Sequence, residues 1–236
     1  MINSAEAVGL GAVAYAGAMT TLGAVLYHNS PLVAPVISRI PKADAVAITF
    51  DDGPTPKFTV PILKALEAAG AKASFFCIGE NMAAHKSLVR DMLAAGHCIA
   101  NHTWSHEHAG ILGTRRYWRS QLERASDLIA ELSGARPTLF RAPMGFKVWN
   151  QAAVVRELHM RYVGWRASAW DTMDVTAAQI RRRIMKRLSA GDIILLHDGL
   201  EYARRHGSQA QTVAALPDIL AFIRHRGWCF ASLADL

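Results

Sequence analysis

The chain has 236 residues, of which 51% are apolar, and a formal net charge of +7 at pH 7 with histidine neutral. This length allows one large domain or two small ones, and the apolar fraction excludes a largely disordered protein. The positive charge suits a membrane surface, a phosphate-bearing substrate or nucleic acid, but no basic motif interleaved with aromatic residues supports nucleic acid as a partner.

The first stretch, residues 7–27, carries no charge over 21 positions. As a helix it would be about 31 Å long, which is enough to cross a bilayer. A signal peptide and a buried core helix are the alternatives, but the basic segment that opens a signal peptide is missing, since Glu6 is the only charge before the run. We therefore predict an uncleaved membrane anchor over residues 1–30. The next residues, 31–44, contain three prolines and are predicted to be an irregular linker to a single domain over 45–236.

From residue 45 onward, short apolar runs typical of strands alternate with helical patterns. The predicted strands are 46–50, 73–78, 98–100, 138–140, 162–165, 193–196 and 228–231, and the predicted helices are 59–69, 82–95, 115–132, 152–158, 176–188 and 212–226. Gly70, Gly96 and Gly227 directly follow three of these helices, where glycine commonly ends a helix. The alternation predicts an α/β protein with a parallel sheet, and seven strands fit an incomplete or distorted β/α barrel better than an open doubly wound sheet.

Polar residues follow five of the predicted strands. They are Asp51 and Asp52, His102, Arg141, Asp171 and Asp174, and His197 and Asp198. The carboxyl ends of the strands of a β/α barrel open on one face, where active sites are built. We therefore expect these residues to form one site.

The stretch "AVAITFDDGPTP" places two like charges side by side at the end of a buried strand. Neighbouring side chains on a strand point to opposite sides, so one of the two aspartates can bind a cation while the other stays free as a base. The stretch "HTWSH" places His102 and His106 four residues apart, on one side of a helical turn. Two histidines and one aspartate form a divalent-metal site that leaves positions open for water and substrate. An aspartyl-nucleophile phosphatase would instead need D-x-D, and a zincin would need H-E-x-x-H.

Arg141 and His197 supply the remaining chemistry. Arg141, in "FRAPMG", is either in a surface ion pair or beside a carboxylate whose pKa it lowers. His197 ends the apolar run "IILLH" and is either a structural histidine or, with Asp174 as its partner, a protonated general acid.

The chain resembles the polysaccharide deacetylases, the metal-dependent carbohydrate esterases that remove N-acetyl groups from amino sugars. The motifs that carry the resemblance occur in order as "TFDDG", "HTWSH", "RAPMG", "DTMDV" and "LLH", and the resemblance runs from about residue 45 to the C-terminus. It implies a distorted (β/α)7 barrel.

The resemblance also implies a role for each matching residue. Asp51 would be the general base, Arg141 its tuning cation, and His197 the general acid oriented by Asp174. The metal ligands would be Asp52, His102 and His106, binding Zn²⁺ or else Co²⁺, Ni²⁺ or Mn²⁺. The backbone N–H of Met144 would stabilise the oxyanion, and the substrate would contact Leu195, Pro143, Gly145 and Val175. Met144 and Val175 depart from the family pattern, which usually has an aromatic residue and a tryptophan there.

The expected function is removal of N-acetyl groups from the GlcNAc-type sugars of a bacterial cell-wall or exported polysaccharide. A lipid-linked amino sugar is the alternative substrate, and an inactive metal- and sugar-binding module is the alternative class. The family resemblance favours a domain outside the bacterial inner membrane, whereas Arg39 and Lys42, after the apolar run, favour the cytoplasmic side. Deleting residues 1–30 is expected to leave a folded, soluble domain.

Overall fold

The structure is a computed structural model that describes Gly23 and residues 27–199 and 209–236. Most of the predicted membrane anchor, residues 1–22 and 24–26, therefore lies outside the described residues. Within the described ranges, no helix combines the length and the apolar character needed to span a bilayer.

Parallel strands form the centre of the described fold. They are β1 Val36–Ile37, β2 Ala45–Asp51, β3 Ser74–Cys77, β4 Cys98–Asn101, β5 Leu139–Phe140, β6 Arg161–Val163, β7 Ala167–Ser168, β8 Ile193–His197 and β9 Cys229–Ala231. Their order in the sheet is β1-β6-β5-β4-β3-β2-β8-β7, and β9 pairs with β2. Only residues 164–166 connect β6 to β7, which lie near opposite ends of this order, so the sheet must curve back on itself. The parallel α/β fold is thus confirmed, as a half-barrel consistent with a distorted (β/α)7 barrel.

Helices connect the strands, as the alternating pattern predicted. They are α1 Pro56–Ala68, α2 Gly79–Ala84, α3 Lys86–Ala94, α4 Arg115–Ser133, α5 Trp149–Glu157, α6 Ala177–Arg187 and α7 Ala210–His225. Gly70, Gly96 and Gly227 have positive φ after α1, α3 and α7, so the predicted helix ends are confirmed. The single helix predicted over 82–95 is wrong, because His85 leaves the helical conformation and separates α2 from α3.

The core lies on both faces of the sheet. Every residue of β2 is buried, which explains its nearly continuous apolar run. Ile180 and Ile184, which lie four residues apart on α6, are fully buried in the main core cluster.

One strand lies inside the predicted linker. Val36 and Ile37 pair with Tyr162 and Val163 of β6, and Ile40 is buried. The description of residues 31–44 as irregular is therefore wrong in part. A two-residue strand is too short to show a period in sequence, and its partner lies more than 120 positions away.

Candidate active site

A cavity of about 470 Å³ opens at the carboxyl ends of the strands. The predicted site residues that line it are Asp51, Asp52, His102, His106, Met144, Gly145, Leu195 and His197. Four of the eight, Asp51, Asp52, His102 and His197, lie at the ends of β2, β4 and β8 or directly follow them. The expectation that residues after separate strands form one site is confirmed for Asp51, Asp52, His102 and His197, whereas Asp174 is not among the residues that line the cavity.

Asp52, His102 and His106 form the cluster that could hold a metal ion. Asp52 Oδ1 lies 3.3 Å from His102 Nε2 and 3.5 Å from His106 Nε2, and all three residues are buried. His102 Nδ1 lies 2.8 Å from the carbonyl oxygen of Arg141, a contact in which the Nδ1–H donates and the Nε2 lone pair is left for a metal. Asp52 Oδ1 is buried and accepts no hydrogen bond from the described residues. This donor set fits a divalent ion.

The electrostatics of the cluster favour an ionised Asp52. Burial alone would raise the pKa of this carboxyl, but the nearby imidazoles of His106, His197 and His102 outweigh burial and hold the pKa below its usual range. Asp52 is therefore available as an anionic ligand.

A loop, not a helical turn, brings the two histidines together. Thr103 and His106 have φ of 71° and 52°, which no helix contains. Asn101 Oδ1 accepts a hydrogen bond from the Thr103 N–H at 2.8 Å, and Gln121 Oε1 accepts two more from the N–H groups of residues 104 and 105. The predicted convergence is confirmed, whereas the predicted helical turn is wrong.

Arg141 is buried beneath the cavity and holds Asp51. Its Nη1 donates to Asp51 Oδ1 at 2.6 Å and to the Thr49 hydroxyl at 2.8 Å. Its other nitrogens donate to the carbonyls of Val163 and Gly164, so the guanidinium orientation is fixed. Only 1% of Arg141 is exposed, which excludes the alternative of a surface ion pair.

His197 is oriented by Asp171, not by Asp174. Asp171 Oδ1 lies 2.9 Å from His197 Nδ1, and Asp171 Oδ2 accepts from the His197 N–H at 2.9 Å and from the Thr212 hydroxyl at 2.8 Å. Asp171 is buried, whereas Asp174 is exposed. The predicted pairing with Asp174 is therefore wrong.

Asp171 also determines the charge of His197. Burial alone would lower the pKa of the imidazole, but the charge and hydrogen bond of Asp171, aided by the charges of Asp52 and Asp51, raise the pKa to about 9. His197 is therefore protonated at neutral pH, as a general acid must be.

The remaining predicted substrate contacts lie in different places. Leu195 and Gly145 line the cavity, and Pro143 lines a small cleft beside it. Val175 packs against the main core and is not among the cavity residues, whereas Thr172 and Met173 line the cavity. Met144 has φ of 54°, and 48% of the residue is exposed at the cavity.

The turn after the paired aspartates is packed against a third carboxyl. A Cβ at Gly53 would lie 2.1 Å from Asp198 Oδ2, so only glycine fits. Asp198 is fully buried and accepts a hydrogen bond from the Thr59 hydroxyl at 2.6 Å. Burial, with the charges of Asp52 and Asp51, raises the pKa of Asp198 to about 7. Asp198 supports the loop that carries Asp51 and Asp52.

His28 and Trp165 of the cavity wall, and Lys147 in its support, are among the residues that were not predicted. The His28 ring stacks on the Trp165 ring at 4.0 Å between centroids, and the Trp165 ring lies 5.6 Å from the Arg141 guanidinium. Lys147 is buried, and its Nζ donates to the carbonyls of Tyr27 and His28 at 3.2 and 2.6 Å. A change of composition marks this segment, because His28 and Asn29 are the first strongly polar residues after the uncharged run.

These contacts change the expected effect of a truncation. Deleting residues 1–30 removes His28 from the cavity wall and leaves Lys147 without its two acceptors, whereas deleting residues 1–26 keeps both. We expect the shorter deletion to keep activity and the longer one to lower the melting temperature by about 5 °C or more, with reduced turnover. Thermal melts and initial rates of the two truncated proteins measure this. Equal stability and rates would show that residues 27–30 do not support the site.

The fold and the site together define the class of protein. A parallel α/β half-barrel carries an Asp-His-His cluster, a buried Arg–Asp pair and a His–Asp pair at one end. These groups can serve as metal ligands, general base and general acid, as in a hydrolase. The sequence matches the family model described as polysaccharide deacetylase over residues 38–163. The chain belongs to this family and is an amide-hydrolysing deacetylase.

Named relatives and a solved structure agree with this assignment. A peptidoglycan-N-acetylglucosamine deacetylase of Bacillus cereus is 32% identical, covering 81% of this chain and 87% of the relative. A chitooligosaccharide deacetylase of Sinorhizobium fredii is 33% identical, covering 81% and 91%. The crystal structure of the Bc1960 peptidoglycan N-acetylglucosamine deacetylase superposes with a TM-score of 0.77 at 30% identity, covering 85% of this chain and 90% of that one.

Proposed function

We propose that the protein removes N-acetyl groups from GlcNAc-type sugars of a bacterial cell-wall or exported polysaccharide, using a divalent metal ion, with Zn²⁺ as the first choice. The observation that carries the proposal is the Asp52-His102-His106 cluster, which lines the same cavity as Asp51 and His197. The peptidoglycan and chitooligosaccharide deacetylases among the relatives support an N-acetylated amino sugar as substrate.

Each residue of the site has a separate role in the proposed reaction. A divalent ion held by Asp52, His102 and His106 would supply Lewis acidity toward the amide carbonyl and make a water molecule more acidic. Asp51, fixed by Arg141, takes the proton of the attacking water. The backbone N–H of Met144 is assigned to the oxyanion. His197 gives its proton to the leaving amine.

A lipid-linked amino sugar remains the second candidate substrate. Trp170, Met173 and Met144 line the cavity with exposed fractions of 66%, 55% and 48%, and a substrate with an apolar portion would cover them. An inactive module is disfavoured, since Asp51, Arg141 and His197 are all present and paired or placed as the reaction needs.

We also propose that the segment before Tyr27 anchors the domain to the bacterial inner membrane, with the active site outside the cytoplasm. The uncharged run of residues 7–27 supports an anchor, and a polysaccharide substrate supports this side.

The central test is release of acetate from chitooligosaccharides, from peptidoglycan and from an undecaprenyl-linked N-acetylated amino sugar. We expect turnover with added Zn²⁺, loss of nearly all activity after dialysis against a chelator, and recovery when Zn²⁺ is returned. The preferred substrate among the three decides between the polymer and the lipid-linked sugar. Full activity in the chelated protein would contradict metal dependence, and no acetate from any substrate would contradict the function.

A further inference from the structure

Two arginines line the cavity without a role in the proposed reaction. Arg166 lies in the connection between β6 and β7, and Arg187 is the last residue of α6. Both residues are exposed. In the described part of the chain, neither side chain forms an ion pair or a hydrogen bond.

Other arginines near them are already engaged. Arg141 is bound to Asp51 under the cavity, Arg181 pairs with Asp218 at 2.7 Å, and Arg183 donates to the carbonyl of Ala169 at 2.8 Å. The basic sequence "RRRIMKR" of α6 is therefore not one uniform solvated surface. Its members have different partners, and Arg187 faces the substrate cavity.

The carboxylates of the cavity do not need these two charges. Asp51 is neutralised by Arg141, and Asp52 belongs to the proposed metal cluster. Burial lowers the pKa of His28, which favours the neutral imidazole in the cavity wall. Arg166 and Arg187 thus leave two positive charges beside the space that the substrate fills. A guanidinium binds phosphate or carboxylate oxygens through paired hydrogen bonds.

We propose that Arg166 and Arg187 bind an anionic group, a phosphate or a carboxylate, that the amino-sugar substrate carries close to its N-acetyl group. This rests on the proposed deacetylation. A neutral N-acetylated sugar offers nothing that requires two guanidinium groups, whereas an acidic substrate gains charge-assisted hydrogen bonds and selection over neutral glycans. The chemical class of the substrate is therefore an acidic amino-sugar conjugate.

The test measures how the zinc-loaded full chain binds and deacetylates three N-acetylated compounds of two sugar units each. N,N′-diacetylchitobiose is neutral, its 1-phosphate carries a phosphate, and a GlcNAc–MurNAc disaccharide carries a carboxylate. We expect at least one acidic disaccharide to bind and react about tenfold or more better than the neutral one, measured as Kd by calorimetry and as kcat/KM by acetate release. Whichever acidic disaccharide binds and reacts better shows whether the two arginines prefer a phosphate or a carboxylate. The advantage should fall as NaCl increases, while the neutral disaccharide is unaffected.

The variants assign this advantage to the two residues. Arg166→Gln with Arg187→Gln should remove the preference, bringing the ratio of kcat/KM for the acidic disaccharide to that for the neutral one down to about one. The matched control is Arg182→Gln with Lys186→Gln, which removes the same charge from exposed positions of α6 that do not line the cavity, and it should keep the preference.

Equal Kd and kcat/KM for acidic and neutral disaccharides in the unaltered protein would overturn the proposal, as would a preference that survives in the cavity variant. Calorimetry separates this result from failure of the proposed function. If no disaccharide releases acetate, the deacetylase assignment for these sugars fails, while preferential binding of the acid, lost only in the cavity variant, still supports the anionic site.

Discussion

Replacing Asp171 by asparagine is expected to lower kcat by about 10²–10⁴-fold near pH 8 and to move the alkaline limit of activity to lower pH. Asp171 accepts the Nδ1–H of His197 and raises the pKa of that imidazole to about 9. Without this carboxylate, burial dominates and the pKa of His197 falls, so that the imidazole is neutral at pH 8. An acid must be protonated to donate, and therefore activity is lost as pH rises through its pKa.

The measurement is the pH profile of kcat, with Asp174→Asn as the matched control. In the unaltered enzyme the alkaline limb should lie near pH 9, and Asp174→Asn should leave it there because Asp174 is exposed and away from His197. Asp171→Asn should shift the limb downward by one unit or more. A rate loss with an unmoved limb would mean that Asp171 supports the structure without controlling the proton of His197.

The sequence alone could not show which of the two aspartates, Asp171 or Asp174, contacts His197. The sequence placed both Asp171 and Asp174 in a loop after a predicted strand over 162–165, and nothing local separated them. In the structure, a second short strand, Ala167–Ser168, pairs with β8 and carries the chain on to Asp171 beside His197. A two-residue strand has no readable period, so the choice between the two aspartates depended on a tertiary contact.

The metal cluster was predictable because its chemistry limits the residue types. Burying two adjacent aspartates at the end of a strand is costly unless a cation compensates their charge. Two histidines four positions apart supply the other ligands of a metal ion, so a metal site is the simplest explanation of the pattern. The loop that joins the histidines was not predictable, because it depends on Gln121 of α4, more than ten residues away. The contact between Lys147 and residues 27–28 spans about 120 positions and has no sequence signature.

Asp51→Asn and His102→Ala are expected to differ most clearly in zinc content, although both should lose turnover. Asp51 accepts from Arg141 at 2.6 Å, and an asparagine carbonyl can accept the same hydrogen bond, so the buried guanidinium keeps an acceptor. Asp51 Oδ2 lies 3.7 Å from His102 Nε2, farther than Asp52 Oδ1 at 3.3 Å, and Asp51 is not one of the three clustered donors. We therefore expect Asp51→Asn to keep about one zinc ion per chain while turnover falls by about 10²–10⁴-fold.

His102→Ala should lose both zinc and activity, because Asp52 and His106 alone seldom hold a divalent ion. Zinc content by mass spectrometry after extensive dialysis, measured beside kcat, gives the two readouts. His108→Ala is the control, since His108 is an exposed histidine two residues beyond His106 and outside the cluster, and it should change neither. The contrary result is that Asp51→Asn loses zinc as completely as His102→Ala. Asp51 would then be a metal ligand that Asp52 cannot replace. The assignment of Asp52 as ligand and Asp51 as base would be wrong.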